Sequence, residues 1–428
     1  MVLRLQTVSR TSLALALGCT VLGSLPDVAL ASEPQMSAWT GQMEDRHPGL
    51  ISESTGKRLG QMQELVTNEQ FEEAIAGLNA LLAKVRGNAY EEAVLMEQIA
   101  YAYLSKGKAD DYRTAIPLFE KVLNSKQLSV PQENSMVYNL AQLYAQIENY
   151  ARTTQLLDQW FKVTPKPPAS ALILMANAYA AQEKWQESLP WVNRAIAANE
   201  KPQESWYKLK LAIQYSLKDY NACAETLETI IGYWPDNKKY WDQLTGMYLE
   251  LDQDTKALAV MGVAQQRGFL TDEKQILNLA RLYILNDAPF EGGRLLDAAM
   301  QNKIVAPTEK NYALLAEAWV QAKEWAKATD ALGKGGELSA DGELFVRKAQ
   351  IHVDQLQYND AVKAVDRAMQ KGNLKRPGYA YMIQGRAAAE TRNYKTAEEA
   401  FRKARGYEET KNAAGAWLDY IAELASAR

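Results

Sequence analysis

An aromatic residue followed three positions later by a small one recurs along most of this chain at a nearly constant interval. Counting one place where Asp254 replaces the aromatic residue, successive positions are 33 to 41 residues apart between Phe71 and Tyr394. The pairs are Phe71/Ala74, Tyr112/Ala115, Tyr150/Thr153, Trp185/Ser188, Tyr220/Cys223, Phe290/Gly293, Trp325/Ala328, Tyr358/Ala361 and Tyr394/Ala397, with Asp254/Ala257 at the one weak place. This spacing predicts an array of one small repeated structure, because each unit can bury its apolar surface only against its neighbours.

Residues 134–165 show most clearly what one unit is. Leu140, Ala141 and Tyr144 lie on one face of a first amphipathic helix, and a second helix follows the i, i+4, i+7, i+8 rhythm from Thr153. Pro165 then ends the unit, because proline cannot donate a backbone hydrogen bond into a continuing helix. The small residue between two large ones lets the two helices approach closely. Each unit is therefore predicted to be an antiparallel helix pair.

This unit resembles the tetratricopeptide repeat (TPR), whose period is about 34 residues. The resemblance implies an all-α fold, a right-handed superhelical solenoid of about ten helix-turn-helix repeats over residues 56–410. Residues 411–428 form one more predicted helix, with Ala414, Trp417, Ile421 and Leu424 on one side. That helix is expected to cap the exposed face of the last repeat.

Several places depart from the repeat pattern. Residues 253–256 lack the turn aromatic and residues 286–290 add a residue and a proline, so the region 235–304 is expected to bend or loosen the superhelix. The segment LGKGGELSAD at 332–341 contains three glycines, which disfavour helix and predict a shortened or irregular second helix. Residues 108–110 are predicted to be an insertion.

The first 31 residues have the pattern of an export signal. Arg4 and Arg10 precede an apolar stretch at 11–25, Pro26 ends it, and ALA at 29–31 fits the small-x-small cleavage pattern. Cleavage would leave an irregular leader at 32–55 and no direct insertion into a membrane. The sequence ALGC at 16–19 also resembles a bacterial lipoprotein box, which would instead make Cys19 a lipidated N-terminus.

Charge and cysteine content restrict the partners. The formal net charge is −4, and removal of residues 1–31 changes it to 46 − 51 = −5. A mildly acidic chain argues against nucleic acid and gives no reason to expect an anionic membrane surface as the main partner. Only Cys223 remains after cleavage, so no internal disulfide can form. Its place on an apolar helix face predicts a buried small side chain.

Residues suited to catalysis are scarce. The two histidines are His47, in the leader, and His352, in a predicted helix where it takes the place of a packed tyrosine. Neither a G-x-x-x-x-G-K-[ST] loop nor a strand-preceded G-x-G-x-x-G occurs in the sequence. We therefore predict a protein without enzymatic activity, cofactor or metal site.

Binding through the repeats is the function that remains. TPR proteins resemble one another in holding a peptide in a concave groove lined by first helices. Projecting the repeat onto this chain gives as groove candidates Tyr101, Tyr138, Gln142, Asn177, Arg281, Glu317, Gln350 and Arg386. This mixture of aromatic, amide and oppositely charged side chains favours a protein partner over a polyanion. The repeated lysine–asparagine set of the carboxylate-clamp TPR proteins does not occur.

The C-terminal half has a closer resemblance. The segments LNDAPFEGGRLLDAAMQNKIV (285–305) and ALLAEAWVQAKEWAKATDAL (313–332), together with 339–365, 372–404 and 413–421, resemble exported TPR proteins found with the TonB–ExbB–ExbD systems of Gram-negative bacteria. The resemblance implies a periplasmic accessory to TonB-dependent nutrient (iron) uptake, with TonB, ExbB, ExbD or outer-membrane receptors as partners. The alternative is a cell-envelope assembly factor for the outer membrane, peptidoglycan or polysaccharide export, which a lipidated Cys19 would favour.

Overall fold

The computed structural model of the chain describes residues 49–201 and 203–426, with side chains through residue 423. Over these residues the chain forms 21 α-helices and no β-strand, which confirms the predicted all-α class. The chain divides into two compact units, Met1–Pro235 and Asp236–Arg428. The predicted signal peptide at 1–31, the lipoprotein alternative at Cys19 and the leader through residue 48 lie outside the described residues.

The first unit contains five helix pairs, in which consecutive helices pack on one another. Their bounds are α1 Glu53–Thr67, α2 Phe71–Lys84, α3 Ala89–Lys106, α4 Ala109–Ser125, α5 Val130–Gln146, α6 Tyr150–Val163, α7 Ala169–Ala180, α8 Trp185–Ala197, α9 Glu204–Ser216 and α10 Tyr220–Tyr233.

The second unit contains five more pairs and a final single helix. Their bounds are α11 Lys238–Glu250, α12 Asp254–Gln266, α13 Glu273–Leu285, α14 Pro289–Gln301, α15 Glu309–Gln321, α16 Trp325–Leu338, α17 Glu343–Asp354, α18 Tyr358–Lys371, α19 Pro377–Glu390, α20 Tyr394–Arg405 and α21 Lys411–Ser426. The odd-numbered helices α1 to α19 are the first helices of the predicted repeats, and the recurring aromatic position falls at or near the start of each second helix.

The turn inside each pair has one residue in the left-handed conformation. Between α5 and α6 this residue is Glu148, with φ of 62°, and the backbone N–H of Asn149 donates to the carbonyl oxygen of Tyr144 at 2.8 Å. This Schellman-type bond reverses the chain within three residues. The left-handed residues of the ten turns are Glu69, Gly107, Glu148, Glu183, Lys218, Asp252, Asp287, Lys323, Leu356 and Arg392.

The core of each unit lies between helices of the same and adjacent pairs. The small residues Ala100, Ala141 and Ala176 of the first helices are fully buried, as the large–small–large pattern predicts. In the first unit, aromatic side chains connect adjacent pairs. The rings of Phe161 on α6 and Trp191 on α8 stack with centroids 4.8 Å apart, and close apolar contact of this kind stabilises the stack of helices.

The predicted irregular helix at 332–341 is wrong, because α16 continues without interruption through Leu338. Gly335 and Gly336 are buried where α16 meets the first helices on either side. A Cβ atom on Gly336 would lie 2.8 Å from the ring of Phe345, and one on Gly335 would lie 2.9 Å from Cβ of Tyr312. The glycines therefore permit close helix approach, and the resulting burial outweighs their low intrinsic helix propensity.

Other predicted boundaries also shift. Helix α1 begins at Glu53, inside the expected leader at 32–55, because the side chain of Ser52 caps it by accepting from the N–H of Thr55. Most of the predicted insertion at 108–110 is the first turn of α4. The irregular region 235–304 contains two complete helix pairs, and Pro289 is accommodated in the first turn of α14, where no backbone donor is required.

A buried carboxylate attaches α1 to the rest of the first unit. Glu91 Oε1 accepts from the N–H of Ser52 at 2.6 Å, and its Oε2 accepts from the hydroxyl of Thr55 at 3.2 Å. Chiefly the bond from the Ser52 backbone holds the pKa of Glu91 below its usual value of 4.5. The ionised carboxylate therefore stabilises the docked helix at neutral pH.

We expect this attachment to weaken in acid. Because the pKa is lowered on folding, the stabilisation is present above about pH 4.5 and is lost as the pH falls through the lower folded-state pKa. Glu91→Ala should lower the free energy of opening of α1 by about 2 kcal/mol. Hydrogen exchange of the α1 amides measures this quantity. The control Glu64→Ala, at an exposed position of α1, should have little effect, and equal losses from both variants would contradict the assignment.

Candidate functional site

The candidate site is a surface formed by the first helices, called the first-helix surface. It consists of the side chain that directly follows the small packed residue of each first helix, such as Ala141, and the side chain one helical turn before that one. In the first unit it includes Tyr101, Gln142 and Asn177, all partly exposed, and Tyr138, which lies one turn before Gln142. The helical spacing of four residues places both positions on one side of the helix.

A hydrogen bond joins this surface between two first helices of the first unit. Asn139 Nδ2 of α5 donates to the hydroxyl oxygen of Tyr101 on α3 at 3.3 Å. Burial has the larger effect on the pKa of the Tyr138 hydroxyl of α5 and raises it, while the side chains of Ser170, on α7, and Gln142 act on the hydroxyl to lower it. The structure thus joins Tyr101 to Asn139 of the next repeat and places Gln142 and Asn177 at the equivalent, partly exposed positions of α5 and α7.

Tyr138 was predicted to be exposed in the groove, but its side chain is buried in the structure. It is buried, with its ring stacked on Trp160, so the tyrosine is chiefly part of the core and only supports the exposed row beside it. The projection from the repeat pattern did not show this, because the indole that covers Tyr138 comes from α6. Burial raises the pKa of the Tyr138 hydroxyl, which therefore stays protonated at neutral pH.

Glu97 is not among the predicted groove residues, yet it lies one turn before Tyr101, at the position that Tyr138 occupies on α5. The side chain is partly buried, and no hydrogen bond or ion pair to its carboxylate occurs among the described residues. Desolvation by burial raises its pKa from 4.5 to about 7. Burial and the nearby Glu97 carboxylate likewise raise the pKa of Tyr101. The spacing Glu97–Tyr101, matching Tyr138–Gln142, was the available sequence signal.

Glu97 gives the first unit a pH dependence opposite to that of Glu91. In the unfolded chain Glu97 ionises near pH 4.5, whereas in the folded chain its pKa is about 7. The free energy of unfolding therefore decreases as the pH rises from about 4.5 to about 7. Glu97→Gln should therefore raise the free energy of unfolding at pH 8 by about 1–2 kcal/mol, with little change near pH 4. Denaturant melts at both pH values test this expectation. A stability gain of the same size at both would contradict it.

In the second unit the candidates are less closely joined. Arg281 Nη1 donates to Asn278 Oδ1 at 3.3 Å, and Gln350 Nε2 donates to Asp354 Oδ1 at 2.8 Å, each within its own helix. Glu317 is partly exposed and Arg386 is exposed. These four side chains occupy equivalent positions on α13, α15, α17 and α19, and they present alternating charges and an amide.

The groups that could support other chemistry are used in packing. Cys223 is fully buried, and burial raises the pKa of its thiol to about 12, which confirms the predicted structural role. His352 is also buried, with Nδ1 2.7 Å from Gln357 Oε1. Within the described residues no cluster of three or more histidine, cysteine, aspartate or glutamate side chains could hold a metal ion. Over the same part of the chain, every helix is too short or too polar to cross a membrane.

Two family models match the chain. Residues 346–424 match the tetratricopeptide repeat, and residues 108–195 match subunit 3 of the anaphase-promoting complex, or cyclosome. With the ten helix pairs, the match over residues 346–424 supports the predicted class, a protein that contains tetratricopeptide repeats. Proteins of this class mediate protein–protein interactions and typically serve as scaffolds without catalysis. Neither matched family description names an enzyme.

Solved structures with similar folds come from several sources. A tetratricopeptide repeat protein from Parabacteroides merdae is 12% identical, with 62% of this chain and 99% of that one aligned and a TM-score of 0.37. MamA from Desulfovibrio magneticus RS-1 is 18% identical over 44% of this chain and 99% of its own, with a TM-score of 0.36. The Cut9–Hcn1 hetero-tetramer of the APC/C is 13% identical over 88% and 91%, with a TM-score of 0.28. No curated protein matches the chain.

Proposed function

We propose that the chain is an exported, periplasmic adaptor that binds protein partners along its first-helix surface and assists TonB-dependent energy transduction and nutrient uptake. The observation that carries the binding role is the row of polar side chains on α3, α5 and α7, in which α3 and α5 are joined by a hydrogen bond. Asn139 of α5 donates to Tyr101 of α3, and besides burial, Ser170 of α7 acts on the pKa of the Tyr138 hydroxyl of α5, so polar side chains of successive repeats lie beside one another. A partner that lies across several repeats can contact this surface at each of them.

The chemistry of the surface supports a protein as the partner. The row combines Tyr101, the amides of Gln142 and Asn177, and the carboxylate of Glu97 in the first unit, and both signs of charge in the second. Such side chains provide directional hydrogen bonds and aromatic contact to a polypeptide. A nucleic acid would require a basic surface, whereas the whole chain carries a net charge of −4.

Two features of the sequence support the cellular role. The signal-like segment at 1–31 favours export, and the resemblance of residues 271–428 to TPR proteins found with TonB–ExbB–ExbD systems favours an accessory role in iron or other nutrient uptake. TonB, ExbB, ExbD and outer-membrane receptors are accordingly the proposed partners.

A crosslinking capture of the tagged full chain from its native host tests this proposal. Mass spectrometry should identify TonB, ExbB, ExbD or an outer-membrane receptor, and the mature protein should begin at Ser32. The paired substitution Gln142→Ala and Asn177→Ala should reduce the recovery of these partners, whereas Glu225→Gln, at an exposed site of the second helix α10, should not.

Other outcomes would replace the proposal. Enrichment of outer-membrane, peptidoglycan or polysaccharide assembly proteins without TonB components would favour the alternative role in envelope assembly. A lipidated N-terminal Cys19 would favour that alternative too. Equal recovery of partners by the paired variant and the control would show that binding uses a different surface.

A further inference from the structure

We propose that Glu97, Tyr101 and Asn139 form a subsite for a lysine or arginine side chain of the protein partner. The inference rests on the proposed function, since it specifies which chemistry the first-helix surface of the first unit recognises. It concerns one position of that surface, on α3 and α5, and is independent of which partner the protein has.

The three side chains are arranged around a shared polar position. Glu97 and Tyr101 are one turn apart on α3, and Asn139 Nδ2 reaches the Tyr101 hydroxyl from α5 at 3.3 Å. That bond occupies one of the two lone pairs of the hydroxyl and leaves Asn139 Oδ1 as an acceptor. The carboxylate oxygens of Glu97 are acceptors with no hydrogen bond or ion pair among the described residues. The subsite therefore offers acceptors to a group that donates.

Among the described residues, no cation contributes to the pKa of Glu97, which burial alone raises. The polar contacts that α1 and α5 make with α3 are neutral: Gln63 on α1 donates to Gln98 at 3.2 Å, and Asn139 on α5 donates to the Tyr101 hydroxyl. From α4, Phe119 contacts the edge of the Tyr101 ring. Tyr101 is the neighbouring titratable group, and the raised pKa of Glu97 has burial as its cause.

The cation nearest along α3 is already engaged. Lys106, at the end of the helix, lies 2.7 Å from Glu72 and 3.2 Å from Asp111. Glu97 is thus a desolvated carboxylate without a counter-ion, an arrangement that is unfavourable unless the carboxylate is protonated or a cation binds. An ammonium or guanidinium group from a partner would satisfy the carboxylate, whereas an acidic side chain would be repelled.

The test uses the full mature chain and small probes of defined charge. N-acetyl-lysine methylamide is titrated against protein with ¹³C-labelled glutamate carboxylates, and N-acetyl-norleucine methylamide serves as the neutral isostere. The lysine probe should shift the Glu97 resonance saturably at pH 8 and lower its titration midpoint, and the norleucine probe should not. If only ionised Glu97 binds, affinity should fall about tenfold between pH 8 and pH 6, because the pKa is about 7.

Two variants make the result specific. Glu97→Gln is isosteric and removes an unfavourable buried charge, so it should fold and yet lose the response to lysine at Tyr101 and Asn139. The control variant Glu225→Gln should keep the response of Tyr101 and Asn139 to the lysine probe. Failure of the lysine probe to move Glu97, or an equal response in Glu97→Gln, would overturn the subsite.

The capture experiment described above separates this result from the proposed function. Partners recovered equally well by the wild-type chain and Glu97→Gln, with no response to the lysine probe, would overturn the subsite and leave the adaptor role intact. Absence of any captured partner would count against the adaptor role, while the probe titration would still decide the chemistry of the subsite.

Discussion

Phe401→Ala should lower the free energy of unfolding of the last repeat by about 4 kcal/mol, the largest loss that we expect from a single substitution in this chain. The Phe401 side chain is fully buried and stacks on Trp417 of α21, with ring centroids 5.3 Å apart and planes 11° from parallel. Its other side packs on α19, where a Cβ atom at Gly385 would lie 2.6 Å from the ring. Truncation leaves a cavity between three helices.

The effect should be local, because stability in a repeat array is approximately a sum of terms within and between neighbouring repeats. Hydrogen exchange should therefore show loss of protection in α19, α20 and α21, with the first unit unchanged. Trp417→Ala should weaken the docking of α21 by a comparable mechanism. Tyr420→Ala, on the same helix but half exposed, is the matched control and should cost less than about 1 kcal/mol. Equal effects of Phe401→Ala and Tyr420→Ala would contradict the capping role of α21.

Gly342→Ala should lower the free energy of unfolding of the second unit by about 3 kcal/mol. Gly342 precedes α17, and its N–H donates to the carbonyl oxygen of Gly372 at 3.0 Å. A Cβ atom there would overlap the backbone carbonyl of Ala368 in the last turn of α18 and lie 2.8 Å from Leu374 Cδ2. Because backbone cannot move aside as the end of a flexible side chain can, α17 and α18 would have to separate.

Gly415→Ala in α21 is the control for this prediction. A Cβ atom at Gly415 meets no atom within 4 Å, so alanine should stabilise the helix by up to about 1 kcal/mol. Chemical denaturation combined with hydrogen exchange of α17 and α18 measures both effects. A Gly342→Ala variant as stable as the wild type would show that the two helices can separate at little cost.

The helix pairs could be predicted because their signal is local. The interval between Phe71 and Tyr394 indicated ten units, and all ten are present with a final helix from Lys411. Apolar residues at helical spacing and small residues such as Ala141 must recur wherever one helix packs on the next. The turn conformation was not predictable in the same way, since Glu148 is left-handed although its side chain has no preference for positive φ.

The candidate surface was predicted only in part. Position in the repeat placed Tyr101, Gln142 and Asn177 on the first-helix surface, and all three are partly exposed in the structure. The same reasoning predicted an exposed Tyr138, whereas the ring of Trp160 covers this side chain. It also did not include Glu97. Both errors have one cause. How far a side chain is exposed depends on neighbouring helices, and a repeat pattern specifies the position of a residue without specifying the size of the side chains around it.

Periodicity therefore determined the class, the number of helix pairs and the helix faces that pack, because these depend on side chains within a few turns of one another. Only the tertiary structure showed that Gly335 and Gly336 are contact points inside a continuous helix, since the rings and side chains they accommodate belong to other helices. It also showed that Glu97 is desolvated and without a counter-ion among the described residues. Desolvation and close approach depend on how separate helices pack in space, and residue order along one helix does not contain that information.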